Sequence, residues 1–214
     1  MTQTVHFDPL HHLYTVDGRR APGVTGLLSD MGYVPGQEWF TEASRMRGHQ
    51  AHLARQMADQ YAPQATTLEE VQEILEVGEA LHGYLTGWLL YKREKGFIPE
   101  WSEQLVYSAS MNVAGTPDVK GRLKDGRNAL VDTKSWAQKP TAPKRASVLQ
   151  VAGYRIMVEE YLGEKTDLGV IVVLPGDGTY RSWDLEDRDG RDRSLFRCIA
   201  YVWADRQANG LLEK

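Results

Sequence analysis

The chain has 214 residues, with 25 Lys+Arg against 29 Asp+Glu, a net charge of −4, six histidines and one cysteine. Hydrophobic residues at 42% and charged residues at 25% exclude a disordered or fibrous chain, and the length predicts one domain spanning residues 1–214. The single Cys198 excludes an internal disulfide, a cysteine-ligated zinc site and an iron–sulfur cluster held by four thiolates, so any metal must be bound by oxygen and imidazole.

The first 25 residues read as a small hairpin, with strand character at Val5–Phe7 and Leu13–Val16 and a turn at Asp17-Gly18. Met1–His6 has no basic segment followed by an apolar one, and the longest apolar run, around Val170–Leu174, is far short of the roughly 20 residues that span a bilayer. A cytoplasmic protein without a membrane anchor is expected. Pro22-Gly23 precedes a short helix that Thr25 is placed to cap and that stops near Gly32. Two longer helices are predicted, from Gly36 to Tyr61 and from Leu68 to Lys95. Thr67 is the N-cap of the second, Glu69-Glu70 suit its dipole, and Val71, Ile74, Leu75, Leu81, Leu85 and Leu89 form its apolar stripe.

After Gly96 the pattern changes to short β-rich runs, Glu103–Ser108, Val113–Leu123 and Ala129–Thr133, the last two joined at Asp125-Gly126 into an antiparallel meander. A helix over Lys144–Tyr161, strands over Leu168–Leu174 and Thr179–Leu185 with a turn at Gly176-Asp177-Gly178, and a helix over Arg191–Ala208 complete the chain. This order gives an α/β sandwich around a mixed sheet. Charge is unevenly spread. The window Val119–Val158 carries +7, from nine basic and two acidic residues, and the rest carries −11, which predicts a basic face on an acidic body.

Asp118 follows Pro117 in one predicted strand, and Asp132 and Lys134 lie two apart on the next, so the latter two share a face and hairpin pairing brings Asp118 beside them. Two carboxylates and an ammonium, with the Thr133 carbonyl as a further oxygen, suit hydrolysis of a phosphodiester with a hard divalent cation. Each residue also has a plainer reading. Asp118 serves equally as a solvated turn carboxylate, Asp132 as an edge-strand gatekeeper and Lys134 as a surface ammonium. Against these, a carboxylate inside the apolar Ala129-Leu130-Val131 strand needs a partner or a metal.

These residues resemble the PD-(D/E)XK nuclease superfamily, whose motif stands here as Pro117-Asp118 and Asp132-Thr133-Lys134. Ala114-Gly115-Thr116-Pro117-Asp118-Val119 is similar to the family's AGTPD strand, and Arg47-Gly48-His49-Gln50-Ala51-His52 resembles the RGxxxH of the RecB-like branch. Gln150-Val151-Ala152-Gly153-Tyr154 resembles that branch's QxxxY helix, and the stretch from His12-Leu13-Tyr14 to Pro22-Gly23-Val24-Thr25 looks like the opening of phage-encoded RecB-like exonucleases. The features run in the family's order from about residue 6 to residue 154.

The resemblance implies a restriction-endonuclease-like core, a central mixed β-sheet flanked by helices. Residues 1–100 would form an N-terminal hairpin and helical region carrying His52, and 101–214 the catalytic sheet and helices. It implies a stand-alone, metal-dependent exonuclease acting on duplex DNA ends, in phage recombination or DNA processing, with a single-strand annealing protein as partner and room for a homo-oligomer. Asp118, Asp132, His52, Glu103 and Thr133 would ligate Mg2+ or Mn2+. Lys134 would activate water, Gln150 would lie near the scissile phosphate, and Tyr154 would lie against DNA or the ligands. An imidazole among the ligands makes manganese a competent activator beside magnesium. Lys139, Lys144 and Arg145 would track phosphates, and Trp136 would stack on an unpaired base.

Alternatives stay open in the sequence: an endonuclease on the same fold, a catalytically silent DNA-binding module, or a zinc site through His49 and His52. His49 otherwise reads as a surface residue and His82 as a satisfied helix histidine.

Overall fold

The computed structural model describes residues 4–9, 11, 13–34, 41–187 and 190–212, without the side chain of Ser44. His12 and the expected helical residues 36–40 lie outside them. Near the N-terminus, β1 (Val5–Asp8), β2 (Leu13–Val16) and β3 (Arg19–Ala21) form an antiparallel sheet, one strand more than the hairpin expected. Asp17 and Gly18 both take positive φ, 48° and 77°, the pairing that a two-residue turn between twisted strands requires.

A parallel bridge from Gly23 to Ala114 ties this sheet to the rest of the fold. Helix α1 (Val24–Asp30) begins two residues too early for Thr25 to cap it. The N-cap is Gly23 in extended conformation, and Thr25 lies inside the first turn. Helix α2 spans Glu42–Tyr61.

The single helix expected over Leu68–Lys95 is two. Thr67 does cap α3 (Leu68–Gln72), in a capping box with Glu70, but α3 stops at Gln72 and α4 (Glu79–Lys95) restarts after Gly78. Gly78, a poor helix residue, takes the extended N-cap position, and the intervening turn lets Leu75 and Val77 pack against the core beside Val71. His82 Nε2 lies 2.9 Å from the Val77 carbonyl and holds that turn, the satisfied helix role expected of it. Gly96 ends α4 in the left-handed conformation, behind Lys92, Arg93 and Lys95 in the last turn.

Strand β4 (Ile98–Ser102) falls where no strand was expected, because Pro99 and two polar residues hide its periodicity. It lies at the sheet edge, where a proline costs no ladder bond, with an irregularity between Pro99 and Trp101. The expected strand Glu103–Ser108 shrinks to β5 (Val106–Ser108). The expected strand Val113–Leu123 is divided at Thr116-Pro117-Asp118, where Pro117 lacks a ladder N–H. Its two pieces join different sheets: β6 (Val113–Gly115) pairs with β5, and β7 (Val119–Arg122) pairs with β4 and β8 (Asn128–Lys134).

Helix α5 (Arg145–Leu162) crosses to β9 (Leu168–Val173), which runs parallel to β8, and β10 (Arg181–Leu185) returns antiparallel before α6 (Arg191–Ala208). The five-stranded order β10-β9-β8-β7-β4 is a mixed sheet flanked by helices, as expected.

Apolar clusters cover both faces of this sheet. Trp88, Leu89, Tyr91 and Phe97 pack with Val131 and Val170 on one side. Leu149, Ile156, Met157 and Phe196 pack with Leu130 on the other. Burial on both faces explains why β9 reads as one unbroken apolar run. At the α5–α6 contact the Phe196 ring presses so close to Gly153 that a Cβ there would lie 2.6 Å from it.

Candidate metal centre

Five elements, α2, β4, β7, β8 and α5, bring the site's groups to one point. Val119 pairs with Val131 across the β7–β8 hairpin, so Asp118, one residue before β7, emerges beside Asp132. Asp132 and Lys134 share a face of β8, whose interior position buries Asp132 to 2% exposure. His52 comes from α2, Glu103 from the residue after β4, and Gln150 and Tyr154 from α5. Glu103 is not on a strand, as the sequence implied. It takes a left-handed φ of 53° immediately past Ser102, where the ladder with Val119 ends.

The closest gathering of metal-type donors among the described residues is His52, Glu103 and Asp118, whose ligand atoms lie within 4.8 Å of one another. Asp118 Oδ2 accepts hydrogen bonds from the Thr133 backbone N–H and from the Thr133 hydroxyl, each at 2.7 Å, and lies 3.5 Å from His52 Nδ1. Thr133, through these two bonds and a backbone influence on the His52 ring, belongs to the same centre.

Asp132 stands outside that triplet and is tied to Lys134. Its Oδ1 accepts from Nζ at 3.1 Å, while Oδ2 lies 2.9 Å from the same nitrogen as an ion pair but outside hydrogen-bonding geometry. That buried Oδ2 therefore has no hydrogen-bond donor, a costly state for a carboxylate oxygen and one that a cation would relieve. A further line runs from Lys134 Nζ to Gln150 Oε1 at 2.9 Å, and from Gln150 Nε2 to the Tyr154 hydroxyl at 3.2 Å. Tyr154 is buried, and its ring occupies the space a Cβ on Gly115 would take, which accounts for the glycine in the Ala114–Asp118 segment.

Electrostatics follow from this crowding. Burial pushes the Asp132 carboxyl up to about 7, with Asp118 adding to the effect and Lys134 opposing it. Burial and then Asp118 raise Glu103 to about 8, against the pull of Arg55. For Asp118 burial also works upward, but His52, Arg55, Lys134 and the Thr133 hydrogen bond outweigh it and hold the carboxyl below its ordinary value. Burial lowers His52, so the imidazole is neutral at pH 7 and one ring nitrogen carries a lone pair that can ligate. Burial favours neutral Lys134, yet Asp132 and Asp118 prevail and keep it charged.

Two residues of this centre were not foreseen. Arg55 and Asp59 lie three and seven positions after His52 on α2, one helical face, and both are buried. Charged residues at that spacing on a helix face turned to the core were the available signal.

The flanking residues are placed differently from the expectation of an open basic face. Lys120, Arg122, Arg127, Lys134, Lys139 and Arg145 each reach a carboxylate, those of Glu100, Asp125, Asp132, Asp177 and Asp192 among them. Acids from elsewhere in the chain, Glu100, Glu164, Asp177 and Asp192, pair with Lys120, Arg122, Lys139 and Arg145 and offset part of the +7 window. Lys144 Nζ instead lies 4.3 Å above the ring of Trp136, which packs against Val148, Val151, Ile171 and Val173. His49 is exposed on α2.

No protein-family model and no curated protein matches the chain. Among solved structures it is similar to LHK-Exo in complex with dAMP, at 14% identity over 89% of each chain and a TM-score of 0.43. It is similar to SSO0001 at 12% identity, over 85% of this chain and 82% of that one, with a TM-score of 0.37. It is also similar to the alkaline exonuclease (LHK-Exo) from Laribacter hongkongensis at 15% identity, over 89% and 94%, with a TM-score of 0.36. No helix among the described residues is long and apolar enough to cross a membrane.

Proposed function

We propose that this chain is a divalent-metal-dependent deoxyribonuclease of the PD-(D/E)XK superfamily, in its RecB-like branch, that hydrolyses phosphodiester bonds at duplex DNA ends. The observation that carries the reading is the buried Asp132 oxygen without a donor, set beside Asp118 and the Lys134–Gln150 pair on the strands where the motif resides. Oxygen donors with one imidazole suit Mg2+ or Mn2+. Asp118, Asp132, His52, Glu103 and the Thr133 carbonyl would hold the ion. When bound, the ion supplies acidification of a water and neutralisation of charge on the phosphate.

The chain's own groups do the rest. Thr133 fixes Asp118 through two hydrogen bonds to one oxygen, which leaves the other oxygen directed elsewhere. Lys134, charged and held between Asp132 and Gln150, donates hydrogen bonds that orient the attacking water and stabilise negative charge developing on phosphate oxygen. Tyr154 positions Gln150, and Gln150 positions Lys134. Attack in line with the O3′ leaving group breaks the P–O3′ bond and yields a 5′-phosphate and a 3′-hydroxyl. Resected ends of this kind are substrates for a single-strand annealing protein, the partner this reading implies.

The test is degradation of end-labelled linear duplex DNA with Mg2+, Mn2+ or EDTA, by the wild type and Asp132→Ala, with covalently closed circles alongside. Metal-dependent loss of linear DNA alone, abolished by the substitution, is expected. Cleavage of closed circles would make the protein an endonuclease. Binding without cleavage under any metal would make it a silent module.

A further inference from the structure

One buried cation reaches the candidate centre without belonging to its motif. Arg55 is 1% exposed and anchored from behind, where its Nη1 donates to Asp59 Oδ2 at 2.9 Å. Asp59 is in turn fixed by the Trp88 indole N–H at 2.8 Å and by Lys92 at 3.5 Å, and the guanidinium lies 5.6 Å from the Trp88 ring centre. That network alone satisfies a structural ion pair. The second nitrogen goes further: Nη2 donates to Glu103 Oε1 at 2.8 Å and to the Asp118 carbonyl at 3.1 Å. The backbone N–H of Glu103 donates to the same carbonyl at 2.9 Å, so two donors converge on it.

Glu103 needs such restraint. Its side chain is 26% exposed, and its backbone sits at φ 53°, a conformation that a non-glycine residue keeps only when its surroundings enforce it. The bond from Arg55 to Oε1 thus holds a carboxylate that has one oxygen within 4.8 Å of ligand atoms of His52 and Asp118.

We propose that Arg55 is a positioning residue of the metal centre, holding Glu103 and the Asp118 backbone at the spacing that lets Glu103 act as a ligand. This rests on the metal-dependent reading above. A lysine at position 55 keeps the charge, but one ammonium replaces a planar fork that reaches Asp59 from one nitrogen and Glu103 from the other.

The experiment is Mn2+ binding by calorimetry, without DNA and well below the melting temperature, for the wild type, Arg55→Lys, Glu103→Gln and the double variant. Each protein's melting temperature is measured in EDTA. Removing a partner that orients a ligand costs about 10- to 100-fold in metal affinity. Arg55→Lys and Glu103→Gln should therefore each weaken Mn2+ binding by at least about tenfold, and the double variant should bind no more weakly than Glu103→Gln alone. A lowered melting temperature with unchanged Mn2+ affinity in Arg55→Lys would make the residue merely structural and overturn the proposal. Additive losses in the double variant would do the same, because Arg55 would not be acting through Glu103.

Should Arg55→Lys fail to fold, Glu103→Gln decides. Unchanged affinity leaves Arg55 no ligand to position, whereas a tenfold loss supports the proposal. A wild type that binds no Mn2+ is a different failure. It removes the metal-dependent reading itself, and the proposal falls only with it.

Discussion

At the scale of single residues, burial first and the repulsion of Asp118 second make Asp132 and Glu103 hold protons to about 7 and about 8 respectively. A carboxyl whose folded pKa exceeds its unfolded one binds its proton more tightly in the native state. Its contribution to stability is complete below about pH 4 and is lost as pH rises through the folded value. In EDTA, stability from these two groups should therefore fall from about pH 4 to about pH 8. Mn2+ should offset that loss most at the alkaline end, where both carboxylates are free to ligate. Urea denaturation in EDTA across that range, for the wild type and Asp132→Asn, checks it. A wild-type profile no steeper than that of Asp132→Asn would show that Asp132 does not carry the effect.

Legibility differs among these residues for physical reasons. Asp118, Asp132 and Lys134 could be read from the sequence because strand alternation and one hairpin fix their relative positions. Arg55 offered only its spacing from His52 on α2, because its role comes from burial against α4 and from a carbonyl 63 positions away in the chain. Glu103 was found but misplaced, since a strand containing Pro99 and an irregular register does not announce where it ends.

At the scale of elements, the same contrast holds. Helices and strands with a single strong period, such as α5, α6 and β9, came through with boundaries within a residue or two. The failures were at interruptions: Gly78 restarts a helix, and Pro117 sends the halves of one apolar run to two sheets. Their cause is tertiary, because each break turns an apolar face toward a core that local periodicity does not reveal. The QxxxY helix shows how tightly such a core then constrains an element.

Gly153 lies one residue before Tyr154, and Phe196 of α6 fills the space where its side chain would be. Gly153→Ala should raise helix propensity yet destabilise the protein, because overpacking of a filled core costs about 1–3 kcal/mol and exceeds the roughly 1 kcal/mol gained from removing glycine. Adding Phe196→Leu should recover part of the loss by giving the new methyl room. Urea melts of the single and double variants measure both. A Gly153→Ala protein as stable as the wild type would mean that α5 and α6 separate freely, and the Gln150–Tyr154 support for Lys134 would then be loose as well.

At the scale of the whole molecule, charge balance governs how DNA would be held. The sequence presents Val119–Val158 as a strongly basic stretch, but chain folding brings Glu100, Asp177 and Asp192 onto it and pairs them with Lys120, Lys139 and Arg145. An ion-paired cation releases few counterions when a phosphate approaches, because its own counterion is a side chain. Lys144 spends its charge on the face of Trp136, a weaker hold than a carboxylate and one a phosphate can compete with. The salt dependence of DNA binding separates these cases. Each phosphate contact contributes about −0.9 to the slope of log affinity against log salt. Lys144→Ala should therefore make the slope shallower by about 0.9, while Lys139→Ala and Arg145→Ala should leave it nearly unchanged. Fluorescence anisotropy on a duplex oligonucleotide, in EDTA so that no strand is cut, gives the slopes. Equal reductions from all three substitutions would mean that the Asp177 and Asp192 pairs open onto the phosphates, and that the acidic residues act as a gate on the DNA path instead of a fixed neutralising shell.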